Sequence, residues 1–147
     1  MDSDFENAKN LAEAVIKKLG LDPAAATAKN TPDQASYTLK RGSAAVLITV
    51  VHREEQKTTF FRVASPLMTL PEDTTKHLAL FKRLLELNAN GLVNSAFGVV
   101  GDRVVAVSER PAAGLDEHEV EQIIRHLSAV ADTYDDRLTK EFGGEKR

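Results

Sequence analysis

The sequence predicts an α+β protein in which an antiparallel sheet packs against helices, in the order helix, three strands, helix, two strands, helix. Three observations support this prediction. Apolar residues recur at helical spacing near both ends of the chain, and β-branched runs fill the segments between them. Pairs of residues that contain glycine separate neighbouring runs at hairpin spacing. Because such short turns join antiparallel strands, the whole sheet is expected to be antiparallel.

The first helix is expected to begin near Asp4 and to end at Gly20. Aspartate is a common helix cap, and glycine commonly ends helices. Residues 21–34 contain two prolines and several alanines, and we expect a surface connection in which the alanines can form a helical turn. The apolar residues of the helix recur three and four positions apart: Phe5, Ala8, Leu11, Ala12, Val15, Ile16 and Leu19.

Three strands are expected next, separated by a turn at Arg41-Gly42 and a polar turn at residues 54–57. The second strand is continuously apolar and β-branched, which is typical of a central strand covered on both faces. In the third strand, Phe60 and Phe61 should point to opposite faces, since side chains alternate along a strand. The three predicted strands are Tyr37–Lys40, Ala44–Val51 and Thr58–Ala64.

The second half of the chain predicts a middle helix from Asp73 or Thr74 to about Asn88, two strands and a last helix. Gly101-Asp102 is a two-residue hairpin turn between strands Ser95–Val100 and Arg103–Ser108. Asp116 should cap the last helix, and residues 143–147 should form a frayed tail. One apolar stripe marks the core face of that helix: Val120, Ile123, Ile124, Leu127, Val130, Ala131, Tyr134 and Leu138.

Length and composition indicate one domain that covers residues 1–147, with an ordered core at about residues 5–142. The chain contains no cysteine, which excludes disulfides and thiolate metal sites. A net charge of -3 argues against general nucleic-acid binding. The N-terminus lacks the pattern of a secretory signal, and the longest apolar run is too short to cross a membrane. A cytoplasmic protein is therefore expected.

Catalytic and metal-binding patterns are not found in the sequence. The histidines, at positions 52, 77, 118 and 126, have neither metal-ligand nor catalytic spacing. Asp132, Asp135 and Asp136 could hold a hard cation, but they are better explained as a solvated polar face of the last helix. No phosphate-binding glycine loop or nucleophile elbow occurs. We therefore expect no enzyme activity, no metal and no cofactor.

The middle helix is apolar around about half of its circumference, wider than the roughly 100° stripe that a one-sided surface helix needs. Leu78, Phe81 and Leu85 form one side of this arc. Leu80, Leu84 and Leu87 lie beside them. Two explanations remain open: a helix seated deeply on its own sheet, or a helix that also packs on a second subunit. Under the second, Leu80, Leu84 and Leu87 are an uncovered strip that forms a homodimer contact, with Phe81 as a further candidate.

Several local patterns resemble the YbjN family and the related class I type III secretion chaperones. They are Val63–Leu67, Leu84–Asn88, Ala96–Val99 and Ala131–Leu138. The resemblance covers the chain from about Phe5 to Phe142. It implies a homodimer formed through the middle helix, and apolar surfaces that hold an extended segment of a client protein.

Three functions follow as hypotheses. The first is a chaperone-like binding module, which should expose apolar patches on its sheet. The second is a regulatory or adaptor domain that binds a folded partner, as YbjN-like members are often described as regulators. The third is an enzyme of unrecognised type, which should show a pocket with converging titratable groups. The partner is expected to be a protein, rather than a nucleic acid or a membrane.

Overall fold

The computed structural model describes residues 3–92 and 94–146, which form helices and one six-stranded antiparallel sheet. The strands lie in the order β1-β2-β3-β4-β6-β5. The helices are α1 (Ser3–Lys18), α2 (Pro23–Ala26), α3 (His77–Asn90) and α4 (Glu117–Phe142). The strands are β1 (Thr27–Thr31), β2 (Gln34–Arg41), β3 (Ala44–Arg53), β4 (Thr58–Thr69), β5 (Ala96–Val100) and β6 (Arg103–Pro111). The predicted antiparallel sheet and the order of its main elements are confirmed.

The stretch expected to be a surface connection contains two elements. The helical turn in the alanines is α2, whose cap Asp22 accepts a hydrogen bond from the Ala24 amide at 3.0 Å. The strand β1 was not predicted, since its sequence Thr-Ala-Lys-Asn-Thr has no apolar alternation. It pairs with β2 through main-chain groups, which any sequence carries.

The predicted ends of the later helices are confirmed. Asp73 caps a short 3₁₀ turn that leads into α3, and Gly91 ends α3. The Asp116 carboxylate accepts a hydrogen bond from the Glu119 amide at 2.8 Å, as an N-cap does. Ser3, the first described residue, is already helical, so Asp4 lies within α1 and does not cap it as expected.

Two long helices cover the same face of the sheet. α4 lies across β3, β4 and β6, and α1 lies beside it over β3 and β4. The predicted stripe of α4 faces the sheet, with Ile123 and Tyr134 partly buried at its borders. Its fully buried members are Val120, Ile124, Leu127, Val130, Ala131 and Leu138. Because this stripe and the inward side chains of the strands form one cluster, α4 is the main contributor to the core.

The prediction that β3 is covered on both faces is wrong. The strand is interior in the sheet, between β2 and β4. Val46, Ile48 and Val50 point toward the helices and are fully buried, whereas Leu47, on the opposite face, is 39% exposed. The reason is that α1 and α4 pack on one side. The apolar run is therefore not the sign of a three-layer core.

The segment after Phe142 was expected to be a frayed tail, and this is also wrong. The Thr69 amide donates to the carbonyl of Glu145 at 2.9 Å, and Lys146 forms a β-bridge with Met68. At Gly144, where φ is +84°, a Cβ atom would come within 2.4 Å of the Thr69 carbonyl oxygen. Glycine at position 144 lets the chain approach the end of β4 closely enough to pair with it.

An ion-pair cluster joins the C-terminal end of α1 to α4. Glu121 accepts from Lys18 at 2.7 Å and from Arg125 at 2.8 Å, and its side chain is mostly shielded from solvent. These two cations lower the pKa of Glu121 from its ordinary value near 4.5 to about 2. The ionised form of Glu121 is therefore favoured in the folded protein over the unfolded chain.

This pKa shift predicts a pH dependence of stability. The contribution of Glu121 is fully present above its unfolded pKa and is lost as the pH falls from about 5 toward 2. The free energy of unfolding, measured with denaturant at several pH values, should fall more steeply toward acid pH in the unmodified protein than in Glu121→Gln. If the free energies of unfolding of the two proteins fall in parallel, this account of the α1–α4 contact is contradicted.

Candidate functional site

The sheet has one covered face and one face that we call the open face, opposite α1 and α4. Residues paired in register share a face, so the strand pairing assigns each side chain. Among the described residues of β2–β6 on the open face, Ser36 is buried, and every other residue is partly or fully exposed. On the covered face, by contrast, most positions are buried.

Apolar residues form two bands across the open face. In the first band, Leu47, Ala64, Val107 and Ala96 lie in register on four neighbouring strands, from β3 to β5. Val51, Phe60 and Pro111 lie in register on β3, β4 and β6 and form the second band. Since consecutive residues on one face are about 7 Å apart along a strand, the two bands lie roughly 14 Å apart.

A polar row lies between these two bands. Ser36, Thr49, Arg62 and Glu109 are in register across β2, β3, β4 and β6. Glu109 pairs with Arg62 at 3.1 Å and with Arg53 at 3.2 Å, while the Arg53 guanidinium lies 5.0 Å from the centre of the Phe60 ring. One carboxylate is therefore shared by two guanidinium groups beside an apolar band.

The charge of the open face is opposite to that of the chain as a whole. Among the described residues, the strands place five basic side chains and one acidic side chain, Glu109, on this face. The chain as a whole carries a net charge of -3. The basic residues are Lys29, Lys40, Arg53, Arg62 and Arg103. A basic surface with apolar bands thus exists on an acidic protein.

The structure contradicts the expectation that Leu80, Leu84 and Leu87 form an uncovered strip. All three are buried within one chain, Leu84 to 4% exposure, whereas Leu85 is 67% exposed. Helical spacing identified the arc correctly but could not tell which half faces the sheet. Phe81 is half-buried at the edge, with its ring centre 5.8 Å from that of His77. A self-association role for α3 stays a prediction and now concerns its exposed side.

The position of α3 is fixed by the edge strand β5. The Asn88 side chain accepts from the Phe97 amide at 2.7 Å and donates to the Phe97 carbonyl at 3.1 Å, as a neighbouring strand would. Beyond Phe97, Val99 is exposed on the side of β5 that faces the helices, whereas Val100 points to the open face. We call Val99 and the exposed leucines of α3, Leu78 and Leu85, the α3–β5 patch.

Two of the three aspartates of α4, Asp132 and Asp136, are exposed as expected for a solvated face, but Asp135 is buried. Asp135 is 2% exposed and lies 4.0 Å from the Lys146 ammonium, while Asp132 accepts from the Ser43 hydroxyl at 2.6 Å. Lys146 also pairs with Asp136 at 2.7 Å and lowers the pKa of that carboxyl. The cluster attaches the β2–β3 turn and the C-terminal segment to α4, a structural role.

Nothing in the described part of the chain resembles a catalytic or metal centre. No group of three or more potential metal ligands converges among residues 3–92 and 94–146. A groove of about 400 Å³ lies between the end of β6 and α4, lined by Ser108, Gln122 and Ile123. Arg110 and Glu119 at its rim pair with each other. None of the described helices is long and apolar enough to span a membrane.

Comparison with known families places the chain in one of them. The model of the family described as T3SS (YopN, CesT) and YbjN peptide-binding chaperone 1 matches residues 9–147, and the chain belongs to this family. The resemblance read from the sequence is thereby confirmed. No protein with a curated description matches the chain by sequence.

Solved structures share the fold at low sequence identity. The HopA1–SchA chaperone–effector complex contains a chain with a TM-score of 0.61 and 12% identity, over 92% of this chain and 98% of that one. The ExsC–ExsE complex gives 0.58 and 18%, over 94% and 97%. The ExoU–SpcU complex from the type III secretion system of Pseudomonas aeruginosa gives 0.55 and 15%, over 84% and 94%.

Proposed function

We propose that this protein is a chaperone-like module that holds a segment of a client protein on the open face of its sheet. The observation that carries the proposal is the open face itself: two apolar bands left uncovered by the helices of the chain. Membership in a family of peptide-binding chaperones supports the same function. The chain would act by binding, with no chemical step.

The energetics favour an occupant on this face. Each square ångström of apolar surface removed from water contributes about 25 cal/mol. Leu47, Val105 and Val107 are at least partly exposed in the free chain, so this contribution becomes available when a partner covers them. Contiguous apolar surface of this kind on a soluble protein commonly marks an interaction site.

A matched pair of leucines tests the proposal. Leu47 lies on the open face and is 39% exposed, and Leu21 lies in the connection after α1 and is 38% exposed. Peptides selected from a phage-displayed random library against the purified protein should bind Leu47→Thr up to about tenfold more weakly. Full burial of a leucine contributes about 1.5–3 kcal/mol, and a partner covers the part of Leu47 that is still exposed. Binding to Leu21→Thr should be unchanged.

Two outcomes would overturn the proposal. One is a library that yields no binding peptide. The other is a set of selected peptides that bind Leu47→Thr and the unmodified protein equally well, which would place the binding site elsewhere. Circular dichroism of both variants controls for folding.

We further propose a homodimer, formed through the α3–β5 patch. Leu78 and Leu85 are the exposed large apolar side chains of α3, and Val99 is an exposed residue of the strand that α3 contacts. A two-fold contact lets the same patch on two copies cover itself. The dimer contact would therefore lie on α3, the helix that the sequence indicated, but on its exposed side and not on the side of Leu84.

The two sides of α3 give different predictions. Leu85→Glu should convert a dimer to a folded monomer in light scattering at roughly tens of micromolar, because a carboxylate would be buried at the two-fold contact. Leu84→Ala should instead lower the free energy of unfolding by about 2–5 kcal/mol, because that side chain is in the core. An unmodified protein that is monomeric under these conditions would contradict the dimer.

A further inference from the structure

The open face combines two properties that together specify the chemistry of an occupant. It has apolar bands, and its described charged residues are five basic side chains and Glu109. Resting on the proposed function, we infer that the client segment held there is an amphipathic helix whose apolar stripe is flanked by carboxylates. Neither the fold nor the family determines this chemistry of the partner.

The helical conformation follows from the hydrogen bonding of the sheet. β3 and β4 pair with a strand on both sides at every residue of the two apolar bands, and β6 does so at Val107. The main-chain groups of β3 and β4 are therefore used within the sheet, so the centre of the face offers none to an incoming backbone. A backbone covered there must satisfy its own amides and carbonyls, and a helix does so internally.

The dimensions of the surface agree with a helix. The apolar bands lie roughly 14 Å apart on either side of the polar row, and a helix with its side chains is about 10–12 Å in diameter. A helix seated on the band of Leu47, Ala64 and Val107 therefore brings one flank over the polar row. Acidic residues on that flank would meet Arg62.

The guanidinium groups of the polar row have capacity for a second carboxylate. Arg62 and Arg53 both contact Glu109, one through each of its oxygens. A guanidinium carries five donors and binds carboxylates in a bidentate manner. Both side chains remain partly exposed, so a partner carboxylate can reach them. Lys40 adds positive potential at another point of the same face, whereas the charge of Arg103 is partly offset by Asp102 at 4.0 Å.

The charge also disfavours other occupants. A second copy of the chain that docked by its own open face would bring the same excess of basic side chains, so like charges would repel. Single-stranded nucleic acid would meet the positive charge, but the apolar bands offer no phosphate contacts and Glu109 lies in the centre of the polar row. An acidic helix satisfies both the apolar and the charged parts of the surface.

Two synthetic peptides that differ in charge test the inference. Both have a leucine stripe at helical spacing, with glutamates at the remaining positions of one peptide and lysines at those of the other. By fluorescence anisotropy, the glutamate peptide should bind at least about tenfold more tightly at low salt, and the difference should shrink as salt rises.

Variants of the protein test the same contact. Arg62→Gln and Arg53→Gln should weaken binding of the glutamate peptide severalfold. Arg83→Gln on α3, away from the sheet face, is the matched control.

Each alternative result has a defined meaning. Equal affinity for both peptides, lost in Leu47→Thr, would overturn the selection for acidic helices and leave the proposed peptide-binding function intact. Failure of both peptides to bind would overturn the inference even if displayed peptides bind. If a fluorescent oligothymidine binds more tightly than either peptide, and Arg62→Gln weakens that binding, the polar row binds nucleic acid instead. Loss of glutamate-peptide binding in Arg83→Gln would place the site elsewhere.

Discussion

The structure depends on one constraint: the sheet carries apolar side chains on both faces, and helices cover only one of them. The α4 stripe and α1 bury the inward side chains of β3 and β4, and this packing is the core of the molecule. No described helix remains for the other face, because α3 is held at the β5 edge by the paired hydrogen bonds between Asn88 and Phe97. The apolar bands of the open face follow from this distribution.

The stability of the chain and its proposed function therefore reside on opposite sides of the same strands. Ile48 and Leu47 are adjacent in β3, yet the first is in the core and the second is exposed to solvent. Substitutions on the open face can alter partner binding with small cost to folding. Charge is separated in the same way: the open face is basic, whereas the chain as a whole is acidic.

Much of the fold could be predicted from the sequence, because long periodic patterns determine it. The α4 stripe repeats over several turns, and Asp116 and Gly143 mark its ends. The polar strand β1 could not be predicted, since main-chain pairing decides it. The orientation of α3 also could not be predicted: a helical wheel shows which leucines are neighbours but not which half of the helix meets the sheet.

The candidate site was harder to predict than the fold. The basic character of the open face depends on strand register, which joins residues far apart in sequence. The continuous apolar run of β3 did contain a signal of the open face, but burial on both sides explains such a run equally well.

The most direct measurement compares the methyl groups of Leu47 and Ile48 by NMR in the presence of a soluble paramagnetic agent. In the free protein, the account predicts strong broadening of the Leu47 methyl signals and little change for Ile48, since only the first residue faces solvent. Addition of the glutamate-rich amphipathic peptide should restore the Leu47 signals. Leu47 signals as protected as those of Ile48 in the free protein, or still broadened with the peptide bound, would contradict the assignment of the open face as the binding surface.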